Sequence, residues 1–337
     1  MDYLSRVYNQ MLRQAPAEMG TGCYNDQWQW DQGVMMYGLV KAFEKTDDKK
    51  IYDFIKYWTD YHLDRMDFGL SINTTAPLLG VMKLLEYEPD NERYLSVCKR
   101  FADWCLAEEP RADLGTFEHS CTANKYPNQI WADTLFMGCL FLIKWGRFVN
   151  EDVYIKEAVR QFILHYHFLG DSKTGLIVHG YDCNVREQKG VFWGRGNCWL
   201  AVAAIEALNL IDSSFEGYDK LRKIYESHIK GVLAFQSEEG GWHTVINRSD
   251  TYIEMSATAA FAYSLTRAVN TGFLGTEYKD AAAKALAVVK ADINESGEVM
   301  HGSMGTCVME DYRDYNRIEF GYTYFTQGLT MMLLSEA

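Results

Sequence analysis

The stretch Tyr126-Pro127-Asn128-Gln129-Ile130-Trp131-Ala132-Asp133-Thr134-Leu135-Phe136-Met137 places an ionisable residue where a loop gives way to an apolar run. A carboxyl among large apolar neighbours is costly to ionise, so its pKa is expected to rise. A carboxyl that keeps its proton near neutral pH can act as a general acid. Asp133 is therefore the candidate catalytic residue, although the same residue could simply cap the helix that follows. A second element, Gly190-Val191-Phe192-Trp193-Gly194-Arg195-Gly196-Asn197-Cys198-Trp199, sets an arginine between two glycines. Glycine lets backbone approach a ligand closely, and a planar guanidinium can hold a carboxylate through two parallel hydrogen bonds. A salt bridge to one of the many acidic residues would use Arg195 equally well.

Tryptophan faces suit the apolar C–H surface of a sugar ring. A lone tryptophan is usually core, but Trp28, Trp30, Trp131, Trp193, Trp199 and Trp242 all fall at expected helix starts or in long loops, which favours a carbohydrate cleft. A weak repeat runs through those loops. Gly69 to Asn73, Gly115 to His119, Gly175 to His179 and Gly297 to His301 share a glycine, three residues, then Asn or His, and Gly240-Gly241-Trp242-His243 is a shortened form. Taken singly, each reads as a recurring turn before a short extended segment. As a set they use four of the eight histidines.

Positioning these groups falls to helices. Apolar residues recur at three- and four-residue spacing from end to end. Twelve helical segments are expected, at 2–14, 30–44, 48–63, 75–87, 91–107, 131–148, 152–168, 195–211, 217–236, 254–270, 277–291 and 321–335. They alternate in character. The fifth carries the stripe Tyr94, Cys98, Phe101 and Cys105 against a charged face, whereas Val34 to Val40 and Leu135 to Ile143 are apolar all round, as buried helices are. Inner-to-outer connections are short and outer-to-inner ones long, which gathers the long loops at the end where the inner helices begin. The expected architecture is all-α: a single (α/α)6 barrel of six helical hairpins over 1–337, with an open solenoid as the alternative.

Composition narrows the function. The chain has 337 residues, 48% of them hydrophobic, and a net charge of −13 from 46 acidic against 33 basic residues. Without a basic block, neither nucleic acid nor an anionic membrane is an expected partner. No apolar run reaches the roughly 18 residues of a membrane span, and MDYLSRVYNQ lacks the apolar core of a signal peptide. The eight cysteines are scattered without a C-x-x-C pair, as in a reducing compartment. Cytoplasmic location is expected, with no metal or cofactor. His165 and His167, two apart on a helix, would not share a ligand.

The element around Trp131-Ala132-Asp133, with Gly190 to Asn197, Trp28 to Gly33 and the weaker Tyr252-Ile253-Glu254-Met255-Ser256, resembles glycoside hydrolase family 105, the unsaturated rhamnogalacturonyl hydrolases. The resemblance implies an (α/α)6 barrel acting on oligosaccharides that begin with an unsaturated uronic acid, as polysaccharide lyases leave them in degrading pectin. The implied chemistry is hydration of the C4=C5 double bond, with Asp133 as acid toward carbon and base toward water. It also implies a uronate subsite lined by Trp30, Asn73, Trp131, His179, Trp193 and Arg195. His119 and Trp199 are placed with them as substrate-binding. Two departures stand out: His119-Ser120 and an apparent insertion, Cys121 to Lys125, replace the usual His-Lys, and Trp30 replaces a frequent tyrosine. Family 88, the unsaturated glucuronyl hydrolases, normally has aspartate at the place of Asn73 and ranks lower; an inactive sugar-binding barrel is the non-enzymatic alternative.

Overall fold

The computed structural model describes residues 2–13, 27–66, 68–121 and 125–337. Most of the apparent insertion Cys121 to Lys125 lies outside the described residues. Six helical hairpins follow one another: α1 (Tyr3–Leu12) with α2 (Trp30–Thr46), α3 (Lys49–Arg65) with α4 (Ile72–Thr75) and α5 (Leu78–Tyr87), and α6 (Glu92–Ala107) with α7 (Leu140–Val149). Then come α8 (Asp152–Leu169) with α9 (Gly194–Leu210), α10 (Tyr218–Leu233) with α11 (Met255–Asn270), and α12 (Lys279–Asp292), a short α13 (Tyr312–Tyr315) and α14 (Tyr324–Glu336). Helix α9 is buried continuously from Gly194 to Leu208, whereas α6 buries only one stripe, Tyr94, Val97, Cys98, Phe101, Ala102, Trp104 and Cys105. The expected inner and outer layers are both present.

The inner helices α2, α5, α7, α9, α11 and α14 touch in succession, and α14 packs along α2 to close the ring. This is the (α/α)6 barrel rather than the open solenoid. At the seam the two backbones approach so closely that a Cβ built on Gly38 would lie 2.3 Å from the Gly328 carbonyl oxygen.

The glycine repeat is a real structural unit, used four times to lace the outer ring. Gly115, Gly175, Gly240 and Gly297 all have positive φ. In each case the amide of a residue in the preceding turn bonds the carbonyl just after the glycine: Ala112 to Thr116, Asp171 to Leu176, Ser237 to Gly241 and Asn294 to Glu298. Each glycine rests on the next outer helix. Gly175 abuts Ser227 of α10, and Gly297 abuts Arg6 of α1, where a Cβ would lie 2.2 Å from the carbonyl oxygen. Gly69, the fifth member by sequence, is absent from the positive-φ positions and has open space around it.

Strand structure is confined to the mouth, where β1 (Gln129–Trp131), β2 (Gly180–Asp182) and β3 (Glu187–Lys189) form an antiparallel sheet. Trp131 pairs with Gly180, and Gly180 with Lys189. This corrects the helix expected over 131–148. The Ala132 amide bonds the His179 carbonyl, which holds Trp131-Ala132 extended. The chain then turns, makes a π-helical segment at Leu135–Cys139, and becomes α-helical only at Leu140. The segment expected at 75–87 is likewise divided, because Pro77 stands between α4 and α5.

The opposite end of the barrel is plugged. Glu206 of α9 sits on the axis, ion-paired to Lys41 at 2.8 Å and bonded by the hydroxyls of Tyr37 and Tyr263. Burial pushes its carboxyl up, but the charges of Lys41, Lys144 and Arg267 outweigh that and leave it at about 2. These cations lie toward the C-terminal ends of inner helices, where helix dipoles favour positive charge.

Gly38→Ala is expected to destabilise the barrel by about 1–3 kcal/mol, the usual cost of overpacking against backbone. Thermal denaturation checks this; an unchanged Tm would mean that α2 and α14 can separate freely.

Candidate active site

Asp133 sits in the turn between β1 and the π-helical segment, and its side chain is 14% exposed. Trp199 donates its indole N–H to Oδ1 at 3.1 Å, and His179 Nε2 stands 3.4 Å from Oδ2. A π-helical turn re-aims side chains and is frequent at functional sites; here it follows the acid directly. The expectation that Asp133 has a raised pKa is corrected. Burial is the largest influence and pushes it up, but the contact with His179, together with the neighbouring His119 and the Arg195 charge, pulls the carboxyl below its usual range. Its neighbours therefore favour the carboxylate form of Asp133.

The small sheet sets the distance between Asp133 and His179. Alongside the Ala132–His179 bond, the His179 amide donates to the Val191 carbonyl. His179 is fully buried, with its ring 4.2 Å from that of Trp193 and 5.4 Å from that of Trp131. Its Nδ1 lies 2.7 Å from the hydroxyl of Tyr315. Burial, the largest influence, lowers the His179 pKa. Gly190, at positive φ, closes this corner: a Cβ there would come within 2.7 Å of the Tyr315 hydroxyl and 3.0 Å of the His179 Cβ.

His119 reaches the same site from another loop. Its ring stacks on Trp131 at 4.7 Å, and its Nδ1 lies 3.0 Å from the Thr134 hydroxyl. Burial pushes its pKa down to about 4, so it is neutral at pH 7. Of the repeat's polar residues, His119 and His179 thus meet at Asp133. His301 bonds Asp292 and His243 bonds the Thr251 carbonyl instead.

The tryptophans build walls rather than platforms. Trp131, Trp193 and Trp199 are buried, as are Trp28 and Trp242. Trp28 stacks on Trp58 and Phe68, and Trp242 donates to the Val232 carbonyl. Of the six tryptophans, Trp30 alone stays partly exposed, stacked on Phe325 at 4.9 Å with Trp199 edge-on at 6.4 Å. Asn73 lies in α4 and is partly exposed.

Arg195, expected either to hold a carboxylate or to pair within the protein, is engaged by protein partners. It opens α9 as expected but is 1% exposed. Nη1 donates to the Ser303 hydroxyl at 2.8 Å and to its carbonyl at 3.1 Å, and Nη2 to the Met304 carbonyl at 2.7 Å. Glu254, which caps α11, lies 3.7 Å away. The guanidinium sits 4.5 Å from the Trp193 ring centre and 4.6 Å from that of Phe325. Its fork is therefore spent on the Ser303–Met304 segment rather than presented to the cleft.

Sequence reasoning assigned no role to Tyr315, Ser303, Met304 or Asp31. Tyr315 and the Ser303–Met304 segment lie in the last long loop, with no spacing that ties them to the site. Asp31, beside Trp30 in the first turn of α2, is pushed up to about 6 by burial, against hydrogen bonds that pull it down. Among the described residues no group of three or more His, Cys, Asp or Glu side chains could hold a metal.

The family model for Glycosyl Hydrolase Family 88 matches residues 3–337. The chain belongs to that family. It is 31% identical over 313 residues to the unsaturated rhamnogalacturonyl hydrolase YesR of Bacillus subtilis, covering 92% of this chain and 89% of that protein. Two crystal structures described as possible members of GH105 superpose on it. One is from Salmonella enterica serovar Paratyphi A, at TM-score 0.92 and 28% identity, covering 100% of this chain and 94% of that one. The other, from Klebsiella pneumoniae, has TM-score 0.89 and 31% identity, covering 92% and 82%. This family 88 chain is thus a glycosidase similar to GH105 members, in line with the resemblance read from its motifs.

Arg195→Lys is expected to lower Tm as well as kcat/KM. A lysine keeps the charge but cannot span Ser303 and Met304, and each charge-assisted bond lost is worth about 1.5–3 kcal/mol. A wild-type Tm with a selective loss of uronate binding would return the fork to the cleft.

Proposed function

We propose that this family 88 glycosidase releases an unsaturated uronic acid from lyase-generated oligosaccharides by hydrating its C4=C5 bond, with Asp133 as acid and base. The observation that carries this is the set of groups that act on Asp133. The groups acting most strongly on it are His179, His119 and Arg195, none of them a carboxylate. Direct cleavage of a glycosidic bond ordinarily needs two carboxyls about 5–10 Å apart. Hydration of an enol ether needs one. Asp133 gives a proton to C4, positive charge develops at C5 and the ring oxygen, and water adds at C5 as its proton passes to Asp133. The hemiketal then opens and the neighbouring sugar leaves. The buried tryptophans and the neutral histidines exclude water around this carboxyl and shape the subsite, with Trp30 and Asn73 at its open side.

The favoured substrate is unsaturated rhamnogalacturonan disaccharide, on the similarity to YesR along nearly the whole chain. The seven described cysteines are all free, which supports a reducing, cytoplasmic setting; no helix among the described residues is long and apolar enough to cross a membrane.

Loss of the ultraviolet absorbance of the conjugated double bond tests the reaction. Lyase digests of rhamnogalacturonan should lose it with wild-type protein, while the saturated disaccharide stays intact. Asp133→Asn should reduce the rate by on the order of 10²–10⁴-fold or more. Cleavage of the saturated sugar, with Asp31→Asn as damaging as Asp133→Asn, would instead establish a two-carboxylate glycosidase.

Binding should also take up a proton. Asp133 is ionised in the empty site, and a uronate carboxylate beside it raises its pKa. Calorimetry with the saturated disaccharide, in buffers of different protonation enthalpy, should show uptake by wild type that vanishes in Asp133→Asn. Equal enthalpies across buffers for the wild type would mean that the acid is not charged with its proton in this way.

A further inference from the structure

We propose that Tyr315 is a positioning residue that occupies Nδ1 of His179, fixing the neutral tautomer with its proton on Nε2 and reserving the transferable proton of the site for Asp133. The argument is an inventory of donors around one buried hydroxyl. Tyr315 is fully buried. Its oxygen accepts the Met309 amide at 3.1 Å and lies 2.7 Å from His179 Nδ1. A phenol has one proton to give. If His179 carried hydrogen on Nδ1, the phenol oxygen would receive two donors and its own proton would have no acceptor. Donation from Tyr315 to Nδ1 gives the phenol proton an acceptor and leaves its oxygen with one donor, the Met309 amide. Burial keeps that proton in place, pushing the Tyr315 pKa far above its ordinary value.

With Nδ1 occupied, the only proton of a neutral His179 is on Nε2, which faces Oδ2 of Asp133. The groups around the ring are Asp133 from the turn after β1, His119 from the loop before β1, Arg195 from α9 and Tyr315 from α13, with Trp131 and Trp193 as its aromatic walls. Asp133 favours an imidazolium; Arg195 and burial oppose it. A bare Nδ1 would tilt this balance. His179 could then bind a second proton and form an imidazolium–carboxylate pair, and Asp133 would lose its competition for the proton needed at C4. A hydrogen bond donated to the neutral form disfavours the charged one, so the Tyr315 hydroxyl holds His179 as a neutral donor. Gly190 is part of the device, since any side chain there would meet the Tyr315 hydroxyl and His179 Cβ.

The protonation claim stands whether or not the hydration chemistry is right; only its kinetic consequence rests on the proposed function. Two-bond 1H–15N correlation spectra of protein labelled at histidine, with His179 assigned by its loss in His179→Gln, read the tautomer without substrate. Wild type should show neutral His179 with hydrogen on Nε2 at neutral pH. Tyr315→Phe should show His179 protonated on both nitrogens at that pH, with kcat lowered roughly tenfold, the worth of one buried hydrogen bond, and KM little changed. Hydrogen on Nδ1 or an imidazolium in the wild type would overturn the proposal even if Tyr315→Phe did not fold. So would a Tyr315→Phe protein whose His179 keeps the wild-type state. A changed protonation state with wild-type kcat would overturn the link to catalysis, while absence of turnover in wild type with the expected spectra would count against the hydration reading instead.

Discussion

The backbones of α2 and α14 meet at Gly38 and Gly328, and this contact makes a ring out of what would otherwise be a row of hairpins. Closure fixes which end of every inner helix faces which way. The six starts converge on one mouth, and the six C-terminal ends converge on the other, where Glu206 and its cations fill the axis. Between the ends the axis is occupied by aromatic rings: Tyr37 against Phe136, Phe136 against Trp199, and Trp199 bonded to Asp133. The barrel therefore has one usable opening. Asp133 stands at the top of a solid column rather than in a channel.

Long loops at the mouth would leave a loosely held site if nothing braced them. Two devices do so. The repeated glycine turns pin four of the outer-to-inner loops against the next outer helix, which steadies the base of His119 and His179. The three-stranded sheet then couples those loops to one another, so Trp131-Ala132 and His179 move as a unit. Asp133 and His179, 46 positions apart in the sequence, are held 3.4 Å apart by backbone pairing rather than by their own attraction. Arg195 performs the same service for the last loop, tying the Ser303–Met304 segment to α9.

The electrostatic character of the site follows from this bracing. A buried carboxyl with no donors would be neutral, and that was the simplest reading of an aspartate between tryptophan and leucine. The fold instead supplies Trp199 and His179, which favour the carboxylate form of Asp133.

The sequence by itself determined the architecture and the family, and it singled out Asp133 as the candidate acid. Periodicity of 3.6 and alternation of long with short connections are local properties, and they were enough for twelve helices, two layers and a mouth at the inner helix starts. Positive-φ glycines leave an equally local mark, so the repeat at Gly115, Gly175 and Gly297 was visible. What the tertiary structure decided were the partners. Whether a tryptophan shows its face or its edge, whether Arg195 points at a ligand or at Ser303, and whether Asp133 is protonated depend on groups brought in from distant loops. Tyr315 reaches His179 across 136 residues, and no spacing in a linear chain records that contact. Even the start of the third inner helix was settled at long range, because the apolar run from Leu135 suits a helix in either register, and the pairing of β1 with β2, continued by the bond between Ala132 and His179, keeps Trp131 in a strand.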